Sequence, residues 1–223
     1  MSRTLLVLAK APWAGVSKTR LQAEARLGPE ALARLLEGFV RDVLAACAAV
    51  EEARLEIHAA PPGSEALFRE LAPQAAVHAQ VDGDLGARMQ AAFEVAFAAG
   101  ARAAVLIGTD APHLGAETLR TAFAALERAD CTLVPAEDGG YALLGCSRWS
   151  PGLLDGVEWS SERVLAQTLE RAARAGLSVE LLAPTFDVDR AADLERLAAL
   201  LAVDPRRAPA TAAALRAAGR APQ

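Results

Sequence analysis

The chain has 223 residues, a length that suits one α/β domain with a substantial buried core, and its 53% hydrophobic content is that of an ordinary globular protein. Its net charge of −5 gives no general attraction to nucleic acid or to an anionic membrane surface. No apolar run reaches the roughly 18 residues that cross a bilayer, and Lys10 and Pro12 follow the first apolar run too soon for a signal peptide. We therefore expect a cytoplasmic protein that binds small molecules, with neither nucleic acid nor membrane as a partner.

Apolar runs and helical repeats alternate along the chain. Leu5 to Leu8 form a continuous apolar run, which is typical of a strand buried on both faces. Apolar residues from Leu32 to Leu44 repeat every three or four positions after Gly28 and Pro29, which predicts a helix. The same criteria predict further strands at 54–60, 75–80, 103–108, 131–136, 139–146 and 177–182, and further helices at 64–71, 85–100, 118–126, 161–176 and 191–201.

This alternation predicts the fold class. Strands that alternate with helices form a parallel sheet with right-handed crossovers. The run at 139–146 follows 131–136 too closely for a helical crossover, so the strand there is expected to be antiparallel or at the edge of the sheet. The prediction is a single-domain, Rossmann-like α/β fold, with a mixed, mostly parallel central sheet and helices on both faces.

The loop after the first strand gathers three cations, Lys10, Lys18 and Arg20. It follows the carboxyl end of a predicted strand, which is where open α/β sheets bind ligands. Pro12 and Gly15 break regular structure there, so the backbone can approach a ligand closely. We interpret the loop as a phosphate-binding segment; the alternative is a solvated basic loop.

Three common nucleotide and hydrolase motifs are absent from the sequence. A P-loop needs Gly immediately before its Lys, where this chain has Ser17. The first strand-to-helix turn has no GxGxxG fingerprint of dinucleotide-binding enzymes, and no GxSxG elbow occurs. These absences argue against a P-loop enzyme, a nicotinamide or flavin dehydrogenase, and a serine hydrolase.

Carboxylates occur at positions that suit a divalent metal. Asp110 comes just after the apolar run at 103–108, so it should lie at the same sheet edge as the basic loop. Asp187 and Asp189 are two residues apart, which in an extended segment directs both side chains to one side. Mg²⁺ commonly takes one or two protein carboxylates together with substrate phosphates. The alternatives are a turn-forming Asp110 and a helix N-cap at Asp189.

Two glycine-bearing loops complete the candidate site. In the segment from Gln80 to Met89, Asp84 is a candidate cap for the following helix, and Arg88 points either to a ligand or to solvent. In the segment EDGGYALLG, paired glycines let a ligand approach the backbone, and the tyrosine could stack on a bound group. A tight turn with a core tyrosine explains the second segment as well. His113, near Asp110, is the histidine closest to these candidates.

Six segments, taken together, resemble a known family. In chain order they are KAPWAGVSKTRL, QVDGDLGARM, IGTDAPHL, PAEDGGYALLG, VEWSSERV and DVDR. This ordered set, from about Leu5 to Leu197, is similar to a bacterial family of GT-A-type transferases related to the nucleotidyltransferases that include 2-phospholactate guanylyltransferase. The resemblance implies a GT-A-type domain over 1–203, followed by a helical or loose tail over 204–223. The family usually has Pro in place of Ala14 and Thr in place of Ser161.

The resemblance also assigns roles, with Lys18 and Arg20 on nucleotide phosphates and Asp110 plus Asp187 or Asp189 on the metal, Mg²⁺ or Mn²⁺. Lys18, Arg20 and Asp110 are the candidate catalytic residues. The full set of candidate nucleotide- or phosphate-binding residues is Lys10, Gly15, Lys18, Thr19, Arg20, Gly83, Asp84, Gly86 and Arg88. The candidate acceptor-side residues are Glu137, Asp138, Gly139, Gly140, Tyr141, Trp159 and Ser160.

Two metal-assisted displacements fit these parts. In nucleotidyl transfer, a small phosphorylated or hydroxyl acceptor attacks the α-phosphorus of a nucleoside triphosphate and pyrophosphate departs. In the alternative, glycosyl transfer, the acceptor attacks the sugar of a nucleotide-diphospho-sugar and a nucleoside diphosphate departs. A triphosphate carries more charge, which favours the first reaction for a loop with three cations. A nucleotide-binding protein without turnover is a third interpretation, and it would not need three aspartates at the sheet edge.

Overall fold

The computed structural model describes residues 2–13 and 18–220, whose strands form one sheet. In chain order the strands are β1 (Arg3–Lys10), β2 (Ala53–Ala60), β3 (Ala76–Ala79), β4 (Ala103–Ile107), β5 (Cys131–Pro135), β6 (Tyr141–Cys146) and β7 (Val179–Leu181). They lie across the sheet in the order β3-β2-β1-β4-β6-β5-β7. Neighbouring strands are parallel except at β6, which is antiparallel to both β4 and β5. This confirms the predicted mixed, mostly parallel sheet.

Helices connect the strands. In chain order they are α1 (Thr19–Glu24), α2 (Pro29–Ala48), α3 (Glu65–Leu71), α4 (Leu85–Ala98), α5 (Ala116–Ala125), α6 (Val164–Arg174), α7 (Ala191–Val203) and α8 (Pro209–Ala217). The helix α2 begins with Gly28 as its N-cap and Pro29 at its first position, as the sequence predicts. Among the helices of the described residues, none is long and apolar enough to cross a membrane.

Apolar clusters on the two faces of the sheet explain why these segments fold as they do. One cluster joins β1, β2 and β4 to α2, α3 and α5, and includes Phe68 and Phe123. The other joins the sheet to α4 and α6 through Phe93 and Ala172. All residues of β4 are buried, since helices cover the sheet on both sides. The expected helices on both faces are therefore present.

A third apolar cluster brings distant parts of the chain together near the amino-terminal loop. It packs Leu21 of α1 with α2, α7 and α8, and with Phe186 and Val188 of the segment before α7. Leu21 and Val188 are fully buried. The contact therefore places the segment that contains Asp187 and Asp189 beside the helix that follows Lys18.

A buried carboxylate attaches the carboxyl-terminal helix to the rest of the molecule. Asp42 of α2 accepts hydrogen bonds from the backbone N–H groups of Ala210 (3.0 Å) and Thr211 (2.7 Å), at the beginning of α8. At Gly38 of α2, a Cβ atom would lie 3.0 Å from the Thr211 backbone, so the two helices approach closely. The segment after Val203 is thus packed on α2.

We expect Asp42→Ala to lower the free energy of unfolding by about 1–3 kcal/mol, the range for buried hydrogen-bonding groups that lose their partner. Urea unfolding followed by circular dichroism measures this loss. Asp42→Asn, which keeps one carbonyl oxygen as an acceptor, should lose less. Equal stability of Asp42→Ala and the wild type would show that the carboxylate does not hold α8.

Candidate functional site

Lys18 lies among carboxylates at the carboxyl ends of β1 and β4, where the strand order changes direction. It immediately precedes α1 in a left-handed backbone conformation (φ 57°), and its carbonyl oxygen accepts the first hydrogen bond of the helix from Gln22. Its ammonium nitrogen is 3.0 Å from Asp110 Oδ1 and also contacts Asp189 Oδ1. Only 8% of the lysine side chain is exposed. Lys18 and these two aspartates therefore lie together at this edge of the sheet.

Backbone pairing brings the two acidic segments together. The segment after β7 runs beside the end of β5, where the Thr185 N–H donates to the Pro135 carbonyl (2.9 Å). Farther on, the Val188 N–H donates to the carbonyl of Asp110 (2.9 Å). Because Val188 lies between Asp187 and Asp189, this bond keeps both aspartates next to the loop after β4.

The site carries more negative than positive charge. Burial raises the pKa of Asp187 to about 7, and repulsion from Asp110, Asp138 and Asp189 adds to this effect, although Lys18 opposes it. Burial by itself would lower the pKa of Lys18, but attraction to Asp110 and Asp189 outweighs it and raises the pKa above its usual value. Asp138, a candidate on the acceptor side, therefore also belongs to this acidic group electrostatically.

The chemistry and charge of these residues suit a divalent cation, but their positions do not form a ligand group. Carboxylate oxygens are the hard ligands that Mg²⁺ and Mn²⁺ prefer, and one ammonium leaves several carboxylates uncompensated. In the described part of the chain, no three acidic, histidine or cysteine side chains are grouped as ligands of one ion. Instead, Lys18 contacts two of the three carboxylates expected to hold the metal.

Arg196 of α7 binds Glu137, in the turn between β5 and β6, in a two-pronged ion pair. Its Nη1 and Nη2 atoms donate to the carboxylate oxygens at 2.6 and 2.8 Å. Its guanidinium also lies 4.0 Å from the centre of the Phe186 ring. Glu137, expected on the acceptor side, is thus engaged with α7.

His113 packs against Thr185 and Phe186, in the segment that leads to Asp187. Its ring is stacked on Phe186 with centroids 4.3 Å apart, and its Nε2 is 2.8 Å from the Thr185 hydroxyl. Burial lowers its pKa to about 4, and the nearby charges of Arg207 and Arg196 act in the same direction. A neutral, buried imidazole in these contacts supports the segment that carries Asp187, a structural role.

The turn between β5 and β6 depends on glycine. Gly139 has φ +89°, and a Cβ atom there would lie 2.2 Å from the carbonyl oxygen of Glu162. The N–H of Gly140 donates to Asp138 Oδ1 (2.9 Å). The paired glycines therefore form a tight turn that packs against the segment before α6.

The loop before α4 makes a second close approach. Asp84 caps α4 by accepting a hydrogen bond from the Ala87 N–H (2.9 Å), as the sequence suggests. A Cβ atom on Gly86 would lie 2.5 Å from Nε1 of Trp159. Trp159 in turn meets Tyr141 edge-on, with centroids 6.5 Å apart. Three segments predicted to line the site are thereby joined.

The other described candidates differ in their exposure to solvent. Lys10 is the last residue of β1 and is exposed, as are Thr19 and Arg20 in the first turn of α1. The remaining ones are Gly83, in a positive-φ conformation, the half-buried Arg88, the exposed Ser160, and Gly15, which lies outside the described residues.

Sequence reasoning missed the partners that hold the acidic segment in place. Glu24, the last residue of α1, accepts hydrogen bonds from Arg190 Nη1 (3.0 Å) and from the backbone N–H of Ala191 (3.2 Å). Neither this pair nor the one between Arg196 and Glu137 shows a local sequence signal, because each joins residues far apart in the chain.

Comparison with known proteins places the chain in a family. Residues 43–161 match the model of the family described as "Uncharacterized protein conserved in bacteria (DUF2064)". The chain belongs to this family. This result confirms the bacterial family resemblance that the six ordered segments indicate. Among curated proteins, none matches the sequence.

Solved structures confirm the fold of this DUF2064 member. A protein from Desulfovibrio desulfuricans G20, described provisionally as a nucleotide-diphospho-sugar transferase, is 34% identical over 97% of this chain and 95% of its own, with a TM-score of 0.90. The CMP:2-keto-3-deoxy-manno-octonic acid synthetase solved with CTP is 14% identical over 92% of this chain and 100% of its own, with a TM-score of 0.56. Rv0371c from Mycobacterium tuberculosis H37Rv, in complex with manganese, is 20% identical over 88% and 98%, with a TM-score of 0.53. For the synthetase and Rv0371c, whose identities to this chain are low, the likeness shows the fold alone.

Burial of Asp187 predicts a pH-dependent stability. A carboxyl whose pKa rises from about 3.9 in the unfolded chain to about 7 stabilises the fold most at low pH, and this contribution is lost as the pH rises through 7. Relative to Asp187→Asn, the wild type should therefore lose unfolding free energy between pH 5 and pH 8. Urea unfolding in EDTA measures the difference.

The comparison with Asp187→Asn isolates this carboxyl, because the histidines titrate equally in both proteins. The exposed Asp155 is the matched control, and its Asn variant should follow the wild type at every pH. A constant difference between wild type and Asp187→Asn from pH 5 to pH 8 would contradict the proposed effect of burial.

Proposed function

We propose that this protein is a divalent-metal-dependent nucleotidyltransferase, which transfers a nucleotidyl group from a nucleoside triphosphate to a small phosphorylated or hydroxyl acceptor. The observation that carries the proposal is the position of Lys18 beside Asp110 and Asp189, at the sheet edge where α/β folds bind nucleotides. An ammonium is a side-chain group that binds phosphates, and carboxylates are the side-chain groups that bind a divalent cation.

The cationic residues at the amino end of the site would bind the triphosphate. Arg20 lies two residues after Lys18, exposed in the first turn of α1, and Lys10 is exposed at the end of β1. Their positive charges would stabilise the negative charge that pyrophosphate gains as it departs. Lys18 and Arg20 are therefore the proposed phosphate-binding and catalytic side chains.

The carboxylates would hold Mg²⁺ or Mn²⁺. Asp110, with Asp187 or Asp189, is the proposed ligand set, since the backbone bond from Val188 to Asp110 keeps them adjacent. When bound, the metal neutralises charge on the phosphates and aligns them for displacement. Asp187 must lose its proton before it can serve as a ligand. Because its pKa is raised to about 7, we expect Asp187 to bind a metal more tightly above pH 7 than below it.

The two glycine-bearing loops would surround the rest of the donor and the acceptor. Asp84 fixes the beginning of α4 while Gly86 lets Trp159 lie against the backbone. Gly139 and Gly140 form the turn beside Asp138. These rigid loops suit a reaction in which the protein mainly positions its substrates.

Structural likeness supports the proposal. The related synthetase described above was solved with CTP, and the Mycobacterium tuberculosis protein with manganese. Both have folds like this one, and the ligands named for them are the classes that Lys18 and the aspartates suit.

Glycosyl transfer from a nucleotide-diphospho-sugar is the second candidate. It is favoured by the 34% identity to the Desulfovibrio desulfuricans protein, whose provisional description is of a nucleotide-diphospho-sugar transferase. The two reactions release different products, pyrophosphate and nucleoside diphosphate respectively, and a ligand panel separates their donors.

The first test is a thermal-shift panel of the four ribonucleoside triphosphates and of UDP-glucose and GDP-mannose, each with and without Mg²⁺. A triphosphate present at a hundred times its Kd should raise the melting temperature by about 5–10 °C, because binding at that ratio adds about 2.7 kcal/mol. Stabilisation by sugar nucleotides alone would favour glycosyl transfer. No Mg²⁺-dependent stabilisation by any member would contradict both proposals.

Asp110→Asn should abolish the Mg²⁺-dependent part of that shift, since it removes the charge of a proposed metal ligand while preserving side-chain shape. Thermal shift with the best triphosphate measures the effect, and Asp155→Asn serves as the matched control. An unchanged Mg²⁺-dependent shift in Asp110→Asn would exclude this carboxylate as a ligand.

Arg20→Ala should weaken triphosphate binding by about 1.5–3 kcal/mol, the range for a hydrogen bond to a charged group. Isothermal titration calorimetry with Mg²⁺ present measures the loss. Arg174→Ala, on the exposed side of α6, removes the same charge and should bind as the wild type does. Unaltered affinity in Arg20→Ala would mean that this part of the loop is only solvated charge.

A further inference from the structure

Lys18 occupies two roles that exclude each other. Its ammonium contacts Asp110 and Asp189, which are two of the three proposed metal ligands. The same ammonium is the proposed partner of the nucleotide phosphates. In this structure it neutralises the carboxylates and is largely shielded from solvent, with 8% of its side chain exposed.

A divalent cation and an ammonium compete for the same carboxylate oxygens. A metal that binds both Asp110 and Asp189 must displace the lysine ammonium, because the two cations repel each other when both lie beside the same carboxylates. Conversely, a phosphate that binds Lys18 attracts the ammonium away from the aspartates. Each ligand therefore removes an obstacle to the other.

The helix α1, which follows Lys18, is anchored by apolar packing and by hydrogen bonds. Leu21 is fully buried in the cluster with Val188, and Glu24 ties the end of α1 to Arg190 and Ala191. Lysine carries its charge on a flexible four-carbon stem. The exchange between carboxylates and phosphate thus needs rotation of one side chain and no movement of the helix.

We propose that Lys18 acts as an internal counter-cation that makes metal binding depend on the nucleotide. This inference rests on the proposed function, since it assumes that Asp110 and Asp189 hold the metal. Without nucleotide, the ammonium competes with the metal and keeps its affinity low. When phosphates bind Lys18, the carboxylates become available, and the metal and the nucleotide bind together.

The test measures Mn²⁺ binding to the whole protein without nucleotide, from the electron paramagnetic resonance signal of free Mn²⁺. Lys18→Met should bind Mn²⁺ at least about tenfold more tightly than the wild type, which is the lower end of the effect that one neighbouring opposite charge has on the proton affinity of a carboxylate. Lys18→Arg keeps the charge and should remain close to the wild type. Arg174→Met, remote on α6, changes net charge equally and should also remain close.

A second measurement follows the phosphate side of the exchange. Inorganic pyrophosphate, titrated calorimetrically in EDTA, should bind Lys18→Met at least about tenfold more weakly than the wild type, as expected for a lost hydrogen bond to a charged group. The substitution thus strengthens one ligand and weakens the other. A residue that only stabilised the fold would not produce opposite changes, and thermal unfolding of each variant verifies that it is folded. If Lys18→Met does not fold, Lys18→Gln is measured in its place.

The outcomes separate this inference from the proposed function. Equal Mn²⁺ affinity in Lys18→Met and the wild type overturns the inference; if Asp110→Asn still abolishes binding, the metal site itself stands. Tighter Mn²⁺ binding with unchanged pyrophosphate affinity also overturns it, because Lys18 would then not exchange partners. A wild type that binds neither Mn²⁺ nor any nucleotide overturns the proposed function and the inference together.

Discussion

The arrangement of this site depends on one electrostatic constraint, the neutralisation of clustered carboxylates by the ammonium of Lys18. Asp110 and Asp189 come from segments far apart in sequence, and the lysine contacts both. The backbone bond from Val188 to Asp110 sets their separation, and Leu21 packs the helix that follows Lys18 against the same segment. Electrostatic attraction and apolar packing therefore hold together the same three segments, which carry Lys18, Asp110 and Asp189.

A second layer of contacts holds the acidic segment from behind. Phe186 lies in contact with the His113 ring and with the Arg196 guanidinium, which also binds Glu137. Because His113 has its pKa lowered to about 4, it stays neutral at physiological pH and adds no charge to the site. The layer thus fixes the carboxylates in position without neutralising them, which leaves their charge available to cations.

Local sequence patterns predicted nearly all strands and helices because each has a clear apolar period. One exception is α1 (Thr19–Glu24), which the sequence places in the basic loop after the first strand. The other is α8 (Pro209–Ala217), in a segment that the sequence describes only as a helical or loose tail. Apart from Leu215, the hydrophobic residues of α8 are alanines, so the sequence has no repeat of large apolar side chains to mark a buried stripe. It is helical where Asp42 caps its beginning and α2 covers one side, and neither partner is near it in sequence.

The sequence by itself determined the α/β alternation, the antiparallel strand, the family, and which charged residues follow which strands, since these depend on short-range spacing and on ordered motifs. Only the tertiary structure decided which charges meet. It showed Lys18 bound to two aspartates, Glu137 bound to Arg196, and Glu24 joined to the beginning of α7. Such pairs form between residues that crossovers and loop packing bring together, and a side chain's choice among nearby partners leaves no trace in local spacing.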